Sequence, residues 1–170
     1  MDHADLASAL ETLHPDCFGW AMTCCGRRRE EAEDVLHDAY VTVLGGPARF
    51  DGRSSLRTWL FGIIRQTARG RRRRDRVRAL LGLRHAARIR PPASAPMPDE
   101  DAVAGERRER TLRALAQLPQ RQRELLLLVF YHDLTIEEAS RVLGISVGSA
   151  RVHYQRGKKR MAMLLPGERP

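Results

Sequence analysis

Residues 135–160, TIEEASRVLGISVGSARVHYQRGKKR, constrain the fold more tightly than any other stretch. Ile136, Ala139, Ser140 and Leu143 recur at i, i+3, i+4 and i+7, the stripe of one amphipathic helix. Leu143-Gly144-Ile145-Ser146 then interrupts the pattern: Gly144 suits a left-handed turn residue, and Ser146 suits the cap of the next helix. In that second helix Val147, Ala150 and Tyr154 are expected to face inward. Val152, Gln155, Arg156 and Lys159 then lie opposite, flanked by Ser149 and Arg151. Two helices joined in this way form a helix–turn–helix, whose second helix packs through small residues and still offers donors to base edges and phosphates. Helical hairpins with a glycine turn and solvated charges are also common packing units, so the hairpin alone does not decide. Charge does. Between 151 and 160 there are five Arg or Lys residues and no acid, a balance that a merely solvated helix avoids for want of i,i+4 partners. The expected ligand is DNA.

Composition points the same way. The net charge of +9 over 170 residues favours a polyanionic partner. Nucleic acid comes before a membrane surface, because the basic segments lack the Trp/Phe/Leu face of an interfacial helix. No hydrophobic run is long enough to span a bilayer, and Met1-Asp2-His3 opens no signal-peptide pattern, so a cytoplasmic protein without membrane insertion is expected. Aromatics make up only 5% of the chain and alternating runs are few, which predicts an all-α fold. Cys17, Cys24 and Cys25 make no disulfide framework. Even with His14 and His37 nearby their spacing matches no standard zinc pattern, so they are read as small buried thiols and no metal is expected. No nucleophile–base pair or phosphate-binding glycine loop is present, and the chain is expected to be neither an enzyme nor a cofactor protein.

The pattern divides into two small helical domains, over residues 5–78 and 106–165, joined by a basic and then proline-rich linker over 79–105. After a weakly patterned opening, Glu30–Leu44 is a clear helix with an apolar face of Val35, Leu36, Ala39, Tyr40 and Val43 and acids elsewhere. Gly45-Gly46-Pro47 ends it. Phe50–Ser55 reads as a loop, and Ser54 or Ser55 can cap the helix that follows, whose stripe is Leu56, Trp59, Leu60, Ile63 and Thr67. That helix runs into eleven arginines between Arg65 and Arg90 against one acid, Asp75. Charges this dense are expected to be ordered only against phosphates or acidic side chains. Four prolines between Pro91 and Pro98 allow no helix to cross. The second block starts near Gly105, with a helix through Leu112, Leu115 and Leu118 that Pro119 stops, and an apolar helix over Gln120–His132 at the centre of its core.

With these pieces placed, the chain resembles the extracytoplasmic-function sigma factors of the sigma-70 family. Glu31–Leu44 (EAEDVLHDAYVTVL) is similar to the family's acidic "AEDLVQEVF" helix. Phe50–Thr67 (FDGRSSLRTWLFGIIRQT) is similar to its loop and "TWL" helix, and Leu118–Met161 to its C-terminal "LP..QR" to "LG.S.GTVKSR" domain. The resemblance implies that Asp34, His37, Asp38 and Val41 dock on the clamp of the largest subunit of core RNA polymerase. It implies that Phe50, Gly52, Arg53, Ser54, Ser55, Gln66 and Arg69 hold the melted strand of the minus-ten element. Gln66 stands where the family usually has Asn. Trp59 matches the family tryptophan, and its stripe position makes it core. The second domain is expected to meet the polymerase flap. By motif position it would read the duplex minus-thirty-five element through Ser149, Arg151, Val152, His153, Gln155, Arg156 and Lys159. Val152 and His153 replace the usual Ser and Arg, while Lys158, Lys159 and Arg160 are expected to touch backbone only. An anti-sigma factor is a further implied partner. Two rival readings are a stand-alone helix–turn–helix regulator and a sigma-like mimic that titrates an anti-sigma factor. The first lacks a visible companion domain, and the second should have lost the basic residues that remain here.

Overall fold

In a computed structural model, residues 3–46, 48–81 and 102–166 are described, and among them the chain is helical without a strand. It separates into two compact units, Met1–Ser94 and Ala95–Pro170. The proline-rich stretch expected to link them lies outside the described residues.

The first unit is a bundle of three mutually packed helices, α1 (His3–Cys24), α2 (Arg29–Leu44) and α3 (Leu56–Leu80). The weakly patterned opening is therefore a long helix, and its stripe of Leu10, Cys17, Trp20, Ala21 and Cys24 is buried. Trp20 is fully buried: its ring stacks on Phe61 at 5.7 Å, and its indole N–H donates to the Phe61 carbonyl at 2.9 Å. From α2 the bundle takes Ala32, Val35, Leu36, Ala39 and Val43, close to the expected face, with Tyr40 only half-buried. On α3 the buried set is Thr58, Leu60, Phe61, Ile64, Arg65 and Ala68. That face is rotated by about one residue from the expected stripe, because α3 packs on α1 and α2 together and must turn Phe61 and Ile64 into the groove between them. Trp59 is consequently half-buried rather than core, with its ring against Phe50 at 5.4 Å. Ser55 is the N-cap: its side chain accepts from the Thr58 N–H at 3.2 Å.

The second unit contains α4 (Ala102–Ala116), α5 (Gln120–Phe130), α6 (Ile136–Leu143) and α7 (Val147–Leu164). Helix α4 begins a little before the start expected near Gly105. Helix α5 ends at Phe130 rather than His132, and the chain then turns so that His132 and Leu134 are buried. Leu118, Leu125, Leu126 and Leu128 meet Ala139, Val142, Leu143 and Ala150 in one small core. Helix α6 opens on a capping box, in which Thr135 accepts from the Glu138 N–H while the Glu138 carboxylate accepts from the Thr135 N–H. It closes on Gly144 at φ 61 and ψ 44, the left-handed conformation that a residue without Cβ adopts at least cost. Ser146 then caps α7, its hydroxyl accepting from the Ser149 N–H.

Candidate nucleic-acid interface

Helix α7 is amphipathic around an unusually thin inner face. Its fully buried residues are Ala150 and Gly157, and Val147, His153 and Tyr154 are half-buried. Gly157 is there because α5 comes close: a Cβ at this position would lie 3.1 Å from Leu126 Cδ1 and 3.4 Å from Gln122 Cβ. Small residues on one side leave the other side long. Ser149, Arg151, Val152, Gln155, Arg156 and Lys159 are all exposed, and 149, 152, 156 and 159 follow one another at helical spacing. Arg151, Arg156 and Lys159, with Ser149 and Gln155 beside them, form a donor-rich ridge on the exposed side of the helix, suited to a groove edged by acceptors. His153 does not belong to that ridge. Its ring is half-buried, with Nδ1 shielded and without a hydrogen-bond partner among the described residues. Lys158 lies on the flank, its Nζ 5.6 Å from the Tyr154 ring, which in turn stacks on Phe130 at 5.9 Å.

A second cationic surface lies on the first unit. The Phe50–Ser55 loop carries Gly52 at φ +73 and an Asp51 carboxylate that accepts from the Arg53 N–H. Arg53, Gly52 and Ser55 are exposed, Ser54 is half-buried, and Phe50 is held against Trp59. Gln66 and Arg69 are exposed one turn apart on α3, and Arg73 and Arg76 continue the same face. The loop residues and Gln66/Arg69 belong to one unit, at the start and the middle of one helix. The elements of a strand-binding track are present: small polar groups at a turn and guanidinium groups spaced along a helix.

The acidic face of α2 is less free than its sequence suggests. His37 and Val41 are exposed, Val41 by 57%. Asp34 and Asp38, however, are bridged by one guanidinium: Arg71 Nη2 donates to Asp34 Oδ2 and Nη1 to Asp38 Oδ2, each at 2.8 Å. The next residue, Arg72, donates to the Cys24 carbonyl at the end of α1. These contacts line a cleft of ≈ 500 Å³ between α2 and the second half of α3, with Asp34 and Asp38 on one wall and Arg71, Arg72, Arg74 and Arg78 on the other. Of the arginines expected to need phosphates or acidic side chains, Arg71 thus finds two aspartates.

Three residues of structural weight escaped the sequence reading: Trp20, Gly157 and Arg71. Gly157 did leave a signal, an isolated glycine inside a helical run. Arg71 left none, since nothing distinguishes it from its neighbours before α2 and α3 are brought together. The three thiols are free and buried. Burial pushes Cys17 and Cys25 up to about 11, Cys17 despite its hydrogen bond with Tyr40 and Cys25 despite nearby Arg72.

Known proteins carry the same plan. Residues 9–78 match the family model for Sigma-70 region 2, and residues 108–161 that for Sigma-70, region 4. The ECF RNA polymerase sigma factor SigX of Bacillus subtilis is 28% identical over 151 residues, which span 88% of this chain and 77% of that protein. The RNA polymerase sigma factor YlaC of Bacillus subtilis is 29% identical over 168 residues, 93% of this chain and 91% of its own. Among solved structures, the sigma factor RpoE in complex with the anti-sigma factor NepR from Bartonella quintana covers 97% of this chain and 99% of its own, with a TM-score of 0.76 at 22% identity. CnrH in complex with the cytosolic domain of CnrY superimposes with a TM-score of 0.63 at 22% identity, covering 95% of this chain and 88% of that one. The fold and its basic faces define a two-unit, DNA-directed transcription factor. This chain belongs to the extracytoplasmic-function group of the sigma-70 family.

Proposed function

We propose that the chain joins core RNA polymerase to a set of promoters, working in the cytoplasm and without catalytic chemistry of its own. The observation that carries this reading is the order of surfaces along the chain: an acidic docking helix, a cationic loop-and-helix track, then a cationic recognition helix. Region 2 supplies the first two and region 4 the third. Asp34, His37, Asp38 and Val41 on α2 dock on the largest-subunit clamp, since an acidic face with an exposed valine suits a protein partner. Melting a promoter without ATP costs a few kcal/mol per unstacked base, and this is offset by capturing the displaced strand. Phe50, Gly52, Arg53, Ser54, Ser55, Gln66 and Arg69 do so at the minus-ten element, through small polar groups and phosphate contacts. At the minus-thirty-five element Arg151 and Arg156 grip guanine or phosphate bidentately, with Ser149, Val152, Gln155 and Lys159 beside them. His153, half-buried, supports this helix from within, and the second unit also meets the polymerase flap. An anti-sigma factor is the third class of partner, as NepR is for the similar sigma factor RpoE of Bartonella quintana.

The test is co-elution of the purified protein with core polymerase, followed by promoter-dependent run-off transcription. Both are expected. Duplex binding without co-elution would leave a stand-alone regulator, and anti-sigma binding without either would leave a mimic. For the docking face, charge reversal at Asp34 and Asp38 is expected to lower polymerase affinity while far-UV circular dichroism stays unchanged. Val41→Lys, on an exposed residue outside the Arg71 contacts, is expected to do the same. Full co-elution of both variants would move the docking site elsewhere.

A further inference from the structure

Val152 interrupts the donors on the outward side of α7. It is 48% exposed, at helical spacing from exposed Ser149 and Arg156, and it faces away from buried Ala150 and Gly157. Met163, the other large apolar residue exposed on this helix, lies about three turns further on, so the two form no continuous apolar patch of the kind that docks a protein. A valine in a helix keeps one strongly preferred rotamer, so its methyl groups are held in place with little freedom left to lose on contact. One turn earlier, Gly148 is a glycine for no reason internal to the chain. A Cβ there would meet nothing within 4 Å, and its φ lies outside the left-handed region. Gly157 differs, since a Cβ at that position would come within 3.1 Å of Leu126. Alanine at 148 would favour the helix, yet a bare backbone on an exposed face lets something outside the chain approach closely. Gly148 and Val152 are four residues apart and therefore neighbours on one face. Gly148, Ser149 and Val152 make a strip of short residues with the long Arg151 and Arg156 on either side, a profile that seats the first turns of a helix on base edges.

We infer that Val152 is a specificity-determining residue that reads the C5-methyl group of a thymine in the minus-thirty-five duplex, at a distance of approach that Gly148 makes possible. The inference rests on the assignment of α7 to that duplex, and it adds the base read at one position. In the major groove the C5-methyl group marks thymine, while the other bases present donors and acceptors. A valine can pair with none of those, and pressing it against them strips their water without replacing the hydrogen bonds. Against a thymine methyl group both partners bury apolar surface instead. Val152 thus selects, while Arg151 and Arg156 supply the polar contacts beside it.

The test begins with core polymerase reconstituted with the full chain, which selects duplexes from a library randomised across the minus-thirty-five element. Each thymine fixed in the selected element is then replaced by deoxyuridine, which differs only in lacking the C5-methyl group, and affinity is read by competition binding. At one position uracil is expected to weaken binding by about 4-fold, as the loss of one buried methyl group does. Val152→Ser is expected to lose about as much on the thymine duplex and to bind thymine and uracil duplexes equally, whereas Arg156→Ala keeps their ratio. Gly148→Ala is expected to raise the unfolding midpoint, because nothing inside the chain obstructs the added methyl group. The same variant is expected to weaken duplex binding by about 5-fold or more, the low end for an overpacked contact. A selected element with no fixed thymine, the absence of any uracil-sensitive position, or equal sensitivity in Val152→Ser would each overturn the proposal. So would undiminished duplex binding by Gly148→Ala. Where one of these failures comes with weakened binding by Arg156→Ala, the thymine contact alone falls. Where Arg156→Ala also binds as wild type, the assignment of α7 to the duplex falls with it.

Discussion

At the scale of single residues, the most informative position is one with no side chain. Gly157 lets α7 lie against Leu126 and Gln122 of α5, and that closeness is what keeps the cationic ridge on a firm base. Gly157→Leu would force a branched side chain into a space where a Cβ alone would come within 3.1 Å of Leu126 Cδ1, and is expected to destabilise the second unit by about 1–3 kcal/mol in denaturant unfolding. A wild-type midpoint for this variant would show that α7 shifts freely. The buried thiols of the first unit make a prediction of a different kind. Cys17 and Cys25 rise from 9.0 to about 11 on folding because burial disfavours the thiolate. Above pH 9 the unfolded chain therefore loses protons that the folded one keeps. Stability is fully present below that pH and declines as pH climbs towards 11, with the sign opposite to that of a salt-bridged carboxylate. Chemical denaturation at successive pH values should show the decline, and Cys17→Ser with Cys25→Ser should flatten it. The same shift keeps the thiols protonated near neutrality, so alkylation by iodoacetamide is expected to be slow until denaturant is added.

At the scale of elements, what was legible followed from local signals. Helices α6 and α7 were read from their stripe, the glycine turn and the Ser146 cap because each of these acts over a few residues. The face of α2 was read for the same reason. Helix α1 was missed because its buried positions after Leu10 are Cys17, Ala21 and Cys24 around one Trp, with Pro15 just before them, so no ordinary aliphatic stripe announces it. The α3 stripe was set one residue off since a helix packed on two partners buries a wider arc than a single stripe defines, and Trp59 went with it. The site divides in the same way. Which side chains of α7 project outward was readable from periodicity. The retreat of His153 and the capture of Asp34 and Asp38 by Arg71 depend on tertiary contacts. The split character of α3 has a measurable consequence. Residues 56–68 are fixed by apolar burial, whereas those beyond Ala68 are tied by arginines, whose pairing weakens with salt. Amide hydrogen exchange is expected to speed up with added salt in residues 70–80 while staying unchanged in 58–68. Equal protection along α3 at all salt concentrations would contradict a charge-held arm.

At the scale of the whole molecule, the question is how two small units achieve specificity that neither has alone. Each has its own core, and each presents a small cationic surface on a chain of net charge +9. Such a charge gives sequence-independent affinity that falls steeply with salt. Discrimination must come from base-edge contacts, and on α7 Arg151 and Arg156 are exposed guanidinium groups able to pair bidentately with guanine. Held on one polymerase, the two modules bind as one ligand: engagement of one raises the effective concentration of the other. Removing a single base contact should then be felt through the assembly as a whole. Arg156→Ala is expected to weaken holoenzyme binding to a cognate promoter by about 1–3 kcal/mol in a footprinting titration. If Arg156 grips a base, the penalty should shrink on promoters altered at that base, while the salt slope barely moves. If it grips phosphate, the loss should be uniform across promoters, and the slope should fall by about 0.9. Unchanged promoter affinity would remove Arg156 from the interface. It would also leave the exposed ridge of α7 without the contact on which its assignment to base readout chiefly rests.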